Sequence, residues 1–194
     1  MSTDAIVLLK QDHKEIRKTF SDFERTGDKA FVAKGKLVDK MIELLTVHTY
    51  IENEVMYPRV RGLLPDLEDD ILESYEEHHV ADVLILELSA MKPRDERFTA
   101  KTTVLIESVR HHVKEEESEL FPDVRKEIKR KELADLGSAL EKAKKTAPTR
   151  PHPRAPDTPP GSLVAGPTAA AVDSASGAVG KAKAKVKKAV GGKK

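Results

Sequence analysis

The chain has 194 residues, 35% of them charged, a formal net charge of +1 and no cysteine. The lack of cysteine excludes disulfides, iron–sulfur clusters and thiolate zinc sites, and it fits a reducing compartment. The near-neutral total hides an asymmetry: residues 1–145 carry a net −6 and residues 146–194 a net +7, an acidic body with a basic tail.

No apolar run is long enough to span a membrane. The first one, Ala5 to Leu9, is too short for a leader core and has no basic flank before it, so the expected location is cytoplasmic. Ser2 or Thr3 can cap a first helix that runs to about residue 26, with Gly27 as its stop. Its apolar positions 6, 9, 16, 20 and 23 step by three and four, the period of a bundle seam, and His13 falls in that seam. A second helix is predicted over 34–61, with Leu37, Met41, Leu44, Ile51 and Val55 in line with His48. Pro58 should bend or break its last turn. Asp66 reads as the cap of a third helix, which ends near residue 91 before Pro93. Its apolar pattern is broad, and stepping from His78 or from His79 gives equally good seams. Asp95 opens a fourth helix, where Phe98, Leu105, Val109 and Leu120 line up with His112 and Glu116. A shorter amphipathic stretch with Val124, Ile128, Leu133, Leu136 and Leu140 can cover one side.

No strand pattern and no nucleotide-binding glycine loop is present. The expected fold is all-α, an up-down-up-down antiparallel four-helix bundle with an additional C-terminal helix. Residues 148–168 hold seven of the eleven prolines, and seven lysines follow between Lys181 and Lys194. Such a segment cannot offset its ordering entropy. The chain therefore divides into a helical domain over residues 1–146 and a disordered Pro/Ala/Lys-rich basic tail over 147–194.

One stretch occurs twice. His48 is followed by Glu52, Tyr57 and Pro58, and His112 by Glu116, Phe121 and Pro122, so each copy places Glu at +4, an aromatic at +9 and Pro at +10. Residues i and i+4 share a helix face, so each copy offers an imidazole and a carboxylate to one point. Counted from the predicted helix ends, His13, His48, the 78–79 doublet and His112 lie at one depth to within about a turn, about 5.4 Å. A lone histidine in a seam is ordinarily a satisfied core residue. Four in one layer with two carboxylates are different, because each unpaired buried carboxylate costs several kcal/mol against a domain stability of about 5–15 kcal/mol. Imidazole and carboxylate without thiolate suit iron, manganese or zinc, and six converging ligands exceed the needs of one zinc. His111 is out of the seam and faces solvent, and His152 lies among the tail prolines. Glu54, Glu115, Glu117 and Glu119 read as solvated charges, one of which can orient a ligand histidine.

At these residues the sequence resembles the hemerythrin-like proteins of the HHE cation-binding type, whose pattern is His, HxxxE, His, HxxxE. It falls on His13, on His48 and Glu52, on the 78–79 doublet, and on His112 and Glu116, and the resemblance covers about residues 4–125. Within the doublet it favours His78, because Glu77-His78 with Asp82 matches the EHxxxD of many members. The resemblance implies two non-haem iron ions bridged by the carboxylates, with His13, His48, Glu52, His78, His112 and Glu116 as metal ligands. The oxygen-carrying hemerythrins have a second histidine one turn away on the third helix, where this chain has Ser74 and Asp82. That departure moves the expectation from reversible oxygen storage towards reaction with, or sensing of, dioxygen, hydrogen peroxide or nitric oxide, including catalase-like peroxide consumption or ferroxidase turnover. The alternative is an interaction protein whose basic tail gives weak binding to nucleic acid or an anionic surface, with a mainly structural metal centre.

Overall fold

The computed structural model describes residues 4–150. The basic tail beyond residue 150, with His152 and the seven lysines, lies outside the described residues, as do Ser2 and Thr3. Among the described residues there are seven α-helices and no strand: α1 (Ala5–Glu24), α2 (Phe31–Ile51), α3 (Tyr57–Leu63), α4 (Glu68–Ala90), α5 (Phe98–Glu115), α6 (Phe121–Glu127) and α7 (Arg130–Lys144). Asp4 caps α1, its side chain accepting from the Val7 N–H at 3.0 Å.

The long helices close a ring: α1 packs on α2, α2 on α4, α4 on α5 and α5 on α1. Their directions alternate, because the start of α1, the end of α2, the start of α4 and the end of α5 share one apolar cluster. Ile6, Leu9, Ile51, Ile71, Tyr75 and Leu120 meet there. A second cluster fills the opposite end with Ile16, Phe20, Met41, Leu45, Ile85 and Leu105. The expected four-helix bundle is therefore present, and so is the additional helix: α7 buries Leu133, Leu136 and Leu140 against the first cluster and lies over α1 and α2. Beyond α7, Ala147 is buried and the Arg150 guanidinium lies 3.7 Å from Asp39.

The repeated stretch has a repeated backbone. A single π-helical turn spans Glu52–Met56 in one copy and Glu116–Leu120 in the other. The Tyr57 N–H reaches back to the Glu52 carbonyl, and the Phe121 N–H to the Glu116 carbonyl, five residues earlier in each case. Proline has no N–H and its ring collides with the carbonyl four residues back in a regular helix. The wide turn absorbs that conflict, so Pro58 neither breaks nor ends its helix, which continues through α3 to Leu63. In a π turn, residue i+5 stacks over residue i. Tyr57 and Phe121 are thereby carried onto the core face above Glu52 and Glu116 and are almost fully buried.

Candidate metal centre

The six candidate ligands form a polar layer between the two apolar clusters. His13, His48, Glu52, His78, His112 and Glu116 are each at most 4% exposed. Their donor atoms run in a closed ring. His13 Nε2 lies 3.1 Å from His48 Nε2, which lies 3.2 Å from Glu52 Oε2. Glu52 Oε2 is 3.5 Å from His78 Nε2, itself 3.0 Å from His112 Nε2. Glu116 Oε2 closes the ring at 3.4 Å from His112 Nε2 and 3.2 Å from His13 Nε2. Each carboxylate thus sits between the histidine of its own helix and the lone histidine of a neighbouring one.

The doublet is resolved by burial. His78 is 2% exposed in the layer, whereas His79 points out. The buried face of α4 is Ile71, Ser74, Tyr75, His78, Ala81, Ile85 and Leu88, while Leu72, Val80, Val83 and Leu86 are exposed. Those four surface apolar residues made the sequence pattern ambiguous.

The outer nitrogens of three rings are held from a second row. His13 Nδ1 lies 2.9 Å from Glu117 Oε1, which Arg17 also approaches at 2.9 Å. His112 Nδ1 lies 2.8 Å from Glu77 Oε2, and His78 Nδ1 lies 2.7 Å from Asn53 Oδ1. An ionised carboxylate only accepts, so the Nδ1 nitrogens of His13 and His112 donate outward and, in the neutral rings, Nε2 lone pairs face the centre. The two copies act alike: the residue after each layer glutamate, Asn53 or Glu117, holds the lone histidine across the bundle. The symmetry breaks at His48. Glu77 precedes His78 and holds His112; its counterpart Asp12 precedes His13 but pairs with Lys144 of α7. Asp12 Oδ2 and His48 Nδ1 are left buried without hydrogen bonds.

The aromatic partners follow the same symmetry. Phe121 stacks on His13 with ring centres 5.7 Å apart, and Tyr57 tilts over His78 at 5.5 Å. The Tyr57 hydroxyl donates to Glu116 Oε1 at 2.9 Å and is 3.5 Å from His78 Nε2. Burial, reinforced by Glu116 and Glu52, holds this phenol well above its ordinary range, so it stays a donor.

Burial pulls His48 and His78 well below the usual imidazole range, with His13 adding to the effect at His48 and His112 at His78. Burial acts in the same sense on His112, but Glu116 and Glu77 outweigh it and hold its proton more tightly. The carboxylates diverge. Burial and then repulsion from Glu116 push Glu52 well up. Burial pushes Glu116 the same way, but His112 and His13 outweigh it and hold it low. Neither oxygen of Glu52 accepts a hydrogen bond, nor does Glu116 Oε2. A buried carboxylate without donors is paired with cations or is costly. His13, His48, Glu52 and Glu116 bring one donor atom each to within 4.8 Å of one another, and Glu52, His78 and His112 do the same. The donor set therefore fits metal binding, with Glu52 common to both groups.

A model of the hemerythrin HHE cation binding domain matches residues 4–124. The chain belongs to the hemerythrin HHE cation-binding domain family. It is 27% identical over 164 residues to an uncharacterized hemerythrin-like protein of Schizosaccharomyces pombe, covering 84% of this chain and 80% of that one. It is also 26% identical over 137 residues to a Nostoc protein named DNA nickase, covering 71% of this chain and 38% of the relative. In fold it is similar to the crystal structure of a hemerythrin HHE cation binding domain-containing protein from Mycobacterium kansasii, with a TM-score of 0.63 and 19% identity over 74% of this chain and 86% of that one. The hemerythrin-like domain is thus a metal-binding module whose clustered His and Glu side chains lie in the layer described above.

Spacing missed the second row. Asn53, Glu77 and Glu117 each adjoin a layer residue in sequence, which is the one signal that could have found them. Glu117 is the orienting acid among the four glutamates read as solvated, whereas Glu54 is a correction. It is 7% exposed, neither of its oxygens has a partner, and burial pushes its carboxyl up to about 7. The π turn rotated it from the surface face towards α7.

Proposed function

We propose that the protein is a non-haem di-iron protein that reacts with or senses dioxygen, hydrogen peroxide or nitric oxide. His13, His48, Glu52, His78, His112 and Glu116 would hold the irons, with the four imidazoles and two carboxylates as the donor set. The observation that carries this reading is Glu52: fully buried, common to both donor groups, and without a hydrogen bond to either oxygen. A pair of irons, when bound, supplies the electron-transfer chemistry that these side chains lack.

The chain's own residues do the rest. Glu117, Asn53 and Glu77 fix three of the imidazoles, so the donors are set before an ion arrives. The apolar clusters on either side exclude bulk water, which strengthens every charge interaction in the layer. Tyr57 keeps its proton beside His78 and Glu116 and can donate a hydrogen bond to a small ligand seated there. Positions one turn either side of His78 are Ser74 and Asp82, and the Ser74 hydroxyl donates back to the Asp70 carbonyl. The His78–His112 side therefore lacks the second third-helix imidazole of the oxygen carriers, which favours reaction over reversible storage.

Metal analysis with an electronic spectrum tests this reading. Protein loaded anaerobically with Fe2+ and then oxidised should hold two irons per chain and show near-ultraviolet charge-transfer bands. It should consume peroxide or bind nitric oxide more readily than it holds dioxygen reversibly. A single tightly held zinc with no capacity for iron overturns the assignment, and a reversible oxygen adduct overturns the choice of reaction.

A further inference from the structure

An opening between α4 and α5 leads towards the layer. Its volume is about 80 Å³, and five acidic side chains, Asp70, Glu73, Glu77, Glu115 and Glu119, line it without any Lys or Arg. The buried residues His112 and Glu116 form its inner end, and Glu116 Oε2 takes no hydrogen bond there. At the rim, a separate set of donors converges: Glu77, His111 and Glu115 bring one ligand atom each to within 4.8 Å of one another. His111 Nε2 is 3.1 Å from Glu115 Oε1 and 4.0 Å from Glu77 Oε1, while the other oxygen of Glu77 holds His112 Nδ1 at 2.8 Å. One carboxylate therefore touches both the rim group and the layer.

We propose that this acidic mouth is the route by which divalent cations reach the centre, with Glu77, His111 and Glu115 as a docking site at its entrance. The inference rests on the layer being a metal centre. Carboxylates of one sign around a low-dielectric opening raise the local concentration of cations and speed their arrival by about 10–10³-fold at low salt. Two other openings among the described residues suit a cation less well. A pocket of about 10 Å³ touching His48, His78 and His112, with Leu45, Thr49, Glu77, Ala81, Ser108 and Val109 in its walls, is too small for a hydrated ion. The larger groove under α7, about 690 Å³, mixes Lys129, Lys131 and Arg59 with its acids and has none of the six layer residues in its walls. The docking site also gives His111, which lies outside the bundle seam and is 63% exposed, a chemical task.

The test is the rate of Co2+ uptake by metal-free full-length protein, read from the ligand-field absorption of the bound ion. An Asp70→Asn, Glu73→Gln, Glu119→Gln variant changes exposed side chains that touch none of the six layer residues. It should load about tenfold or more slowly at low salt, with unchanged helicity and unchanged final metal content. Uptake by the wild type should slow with added salt, and uptake by the variant should slow much less. His111→Ala with Glu115→Gln should also slow loading, and Asp135→Asn in the α7 groove should leave it unchanged. Equal rates and equal salt dependence at full metal content overturn the mouth while the metal centre stands. A wild-type protein that takes up no ion in the layer overturns the metal reading itself.

Discussion

The two layer carboxylates have the same spacing in sequence but opposite electrostatics, and this yields a test with a sign. Glu52 is buried without a donor, and burial and Glu116 push its carboxyl well up. In the metal-free protein at neutral pH it either takes up a proton or remains an unsatisfied ion. Glutamine has nearly the same shape, and its amide can donate to His48 Nε2 or His78 Nε2, now 3.2 and 3.5 Å from Oε2. Both imidazoles are held below their usual range and are neutral acceptors. Removing an unsatisfied buried group is worth about 1–3 kcal/mol. For a domain of this size that raises the melting temperature by about 3–10 °C. Because the folded-state pKa of Glu52 is raised, its contribution is favourable below the ordinary carboxyl range and is lost as pH rises. The Glu52→Gln advantage should therefore grow as pH rises above the ordinary carboxyl range and vanish in acid. Glu116 behaves in reverse. It accepts from Tyr57 at 2.9 Å, and its neighbours hold it ionised. Glu116→Gln should destabilise the metal-free protein by about 1–3 kcal/mol through the weakened charge-assisted hydrogen bonds. With metal the two variants should converge. An ion at a thousand times its Kd adds about 4 kcal/mol, and losing a shared ligand removes much of that. The assay is thermal unfolding by circular dichroism, with chelator and after Fe2+ loading. If Glu52→Gln lowers the metal-free melting temperature as Glu116→Gln does, or keeps the full metal-induced rise, the reasoning fails.

Two further predictions concern the histidines. His78→Ala should lose metal because it removes a donor from the Glu52–His78–His112 group, while His79→Ala, on the exposed face of α4, should keep it; equal metal content in the two variants would refute the ligand assignment. Metal uptake at neutral pH should release protons, because His112 and Glu52 hold theirs more tightly than usual in the metal-free protein. Affinity should then fall as the pH drops, and an indicator dye in weak buffer that records no proton release would refute this.

Much of the fold is local in origin and was legible along the chain. The three-and-four spacing in α1 and α5, the short connections and the breaks near Gly27, Pro65 and Pro93 require antiparallel helices. The HxxxE repeat and the equal depths of the histidines follow from helix rise alone. Five of the layer residues, His13, His48, Glu52, His112 and Glu116, were therefore legible from spacing, with the sixth narrowed to the 78–79 doublet. What the chain could not decide depends on which surfaces are covered. The choice of His78 over His79 turned on α4 having apolar residues on both faces, and only packing against α2 and α5 says which face is buried. Along the chain Pro58 reads as a bend or break of its helix, whereas π turns before Pro58 and Pro122 let both helices continue. Their effect, turning Tyr57, Phe121 and Glu54 inward, is a rotation that regular helical counting misses. The opposite charge preferences of Glu52 and Glu116 depend in part on neighbours distant in sequence, since His13 helps His112 hold Glu116 low and Glu116 pushes Glu52 up. Tyr57 comes from the far end of the second helix, and Asp12 is drawn away by Lys144 of a helix that only tertiary folding lays across the bundle.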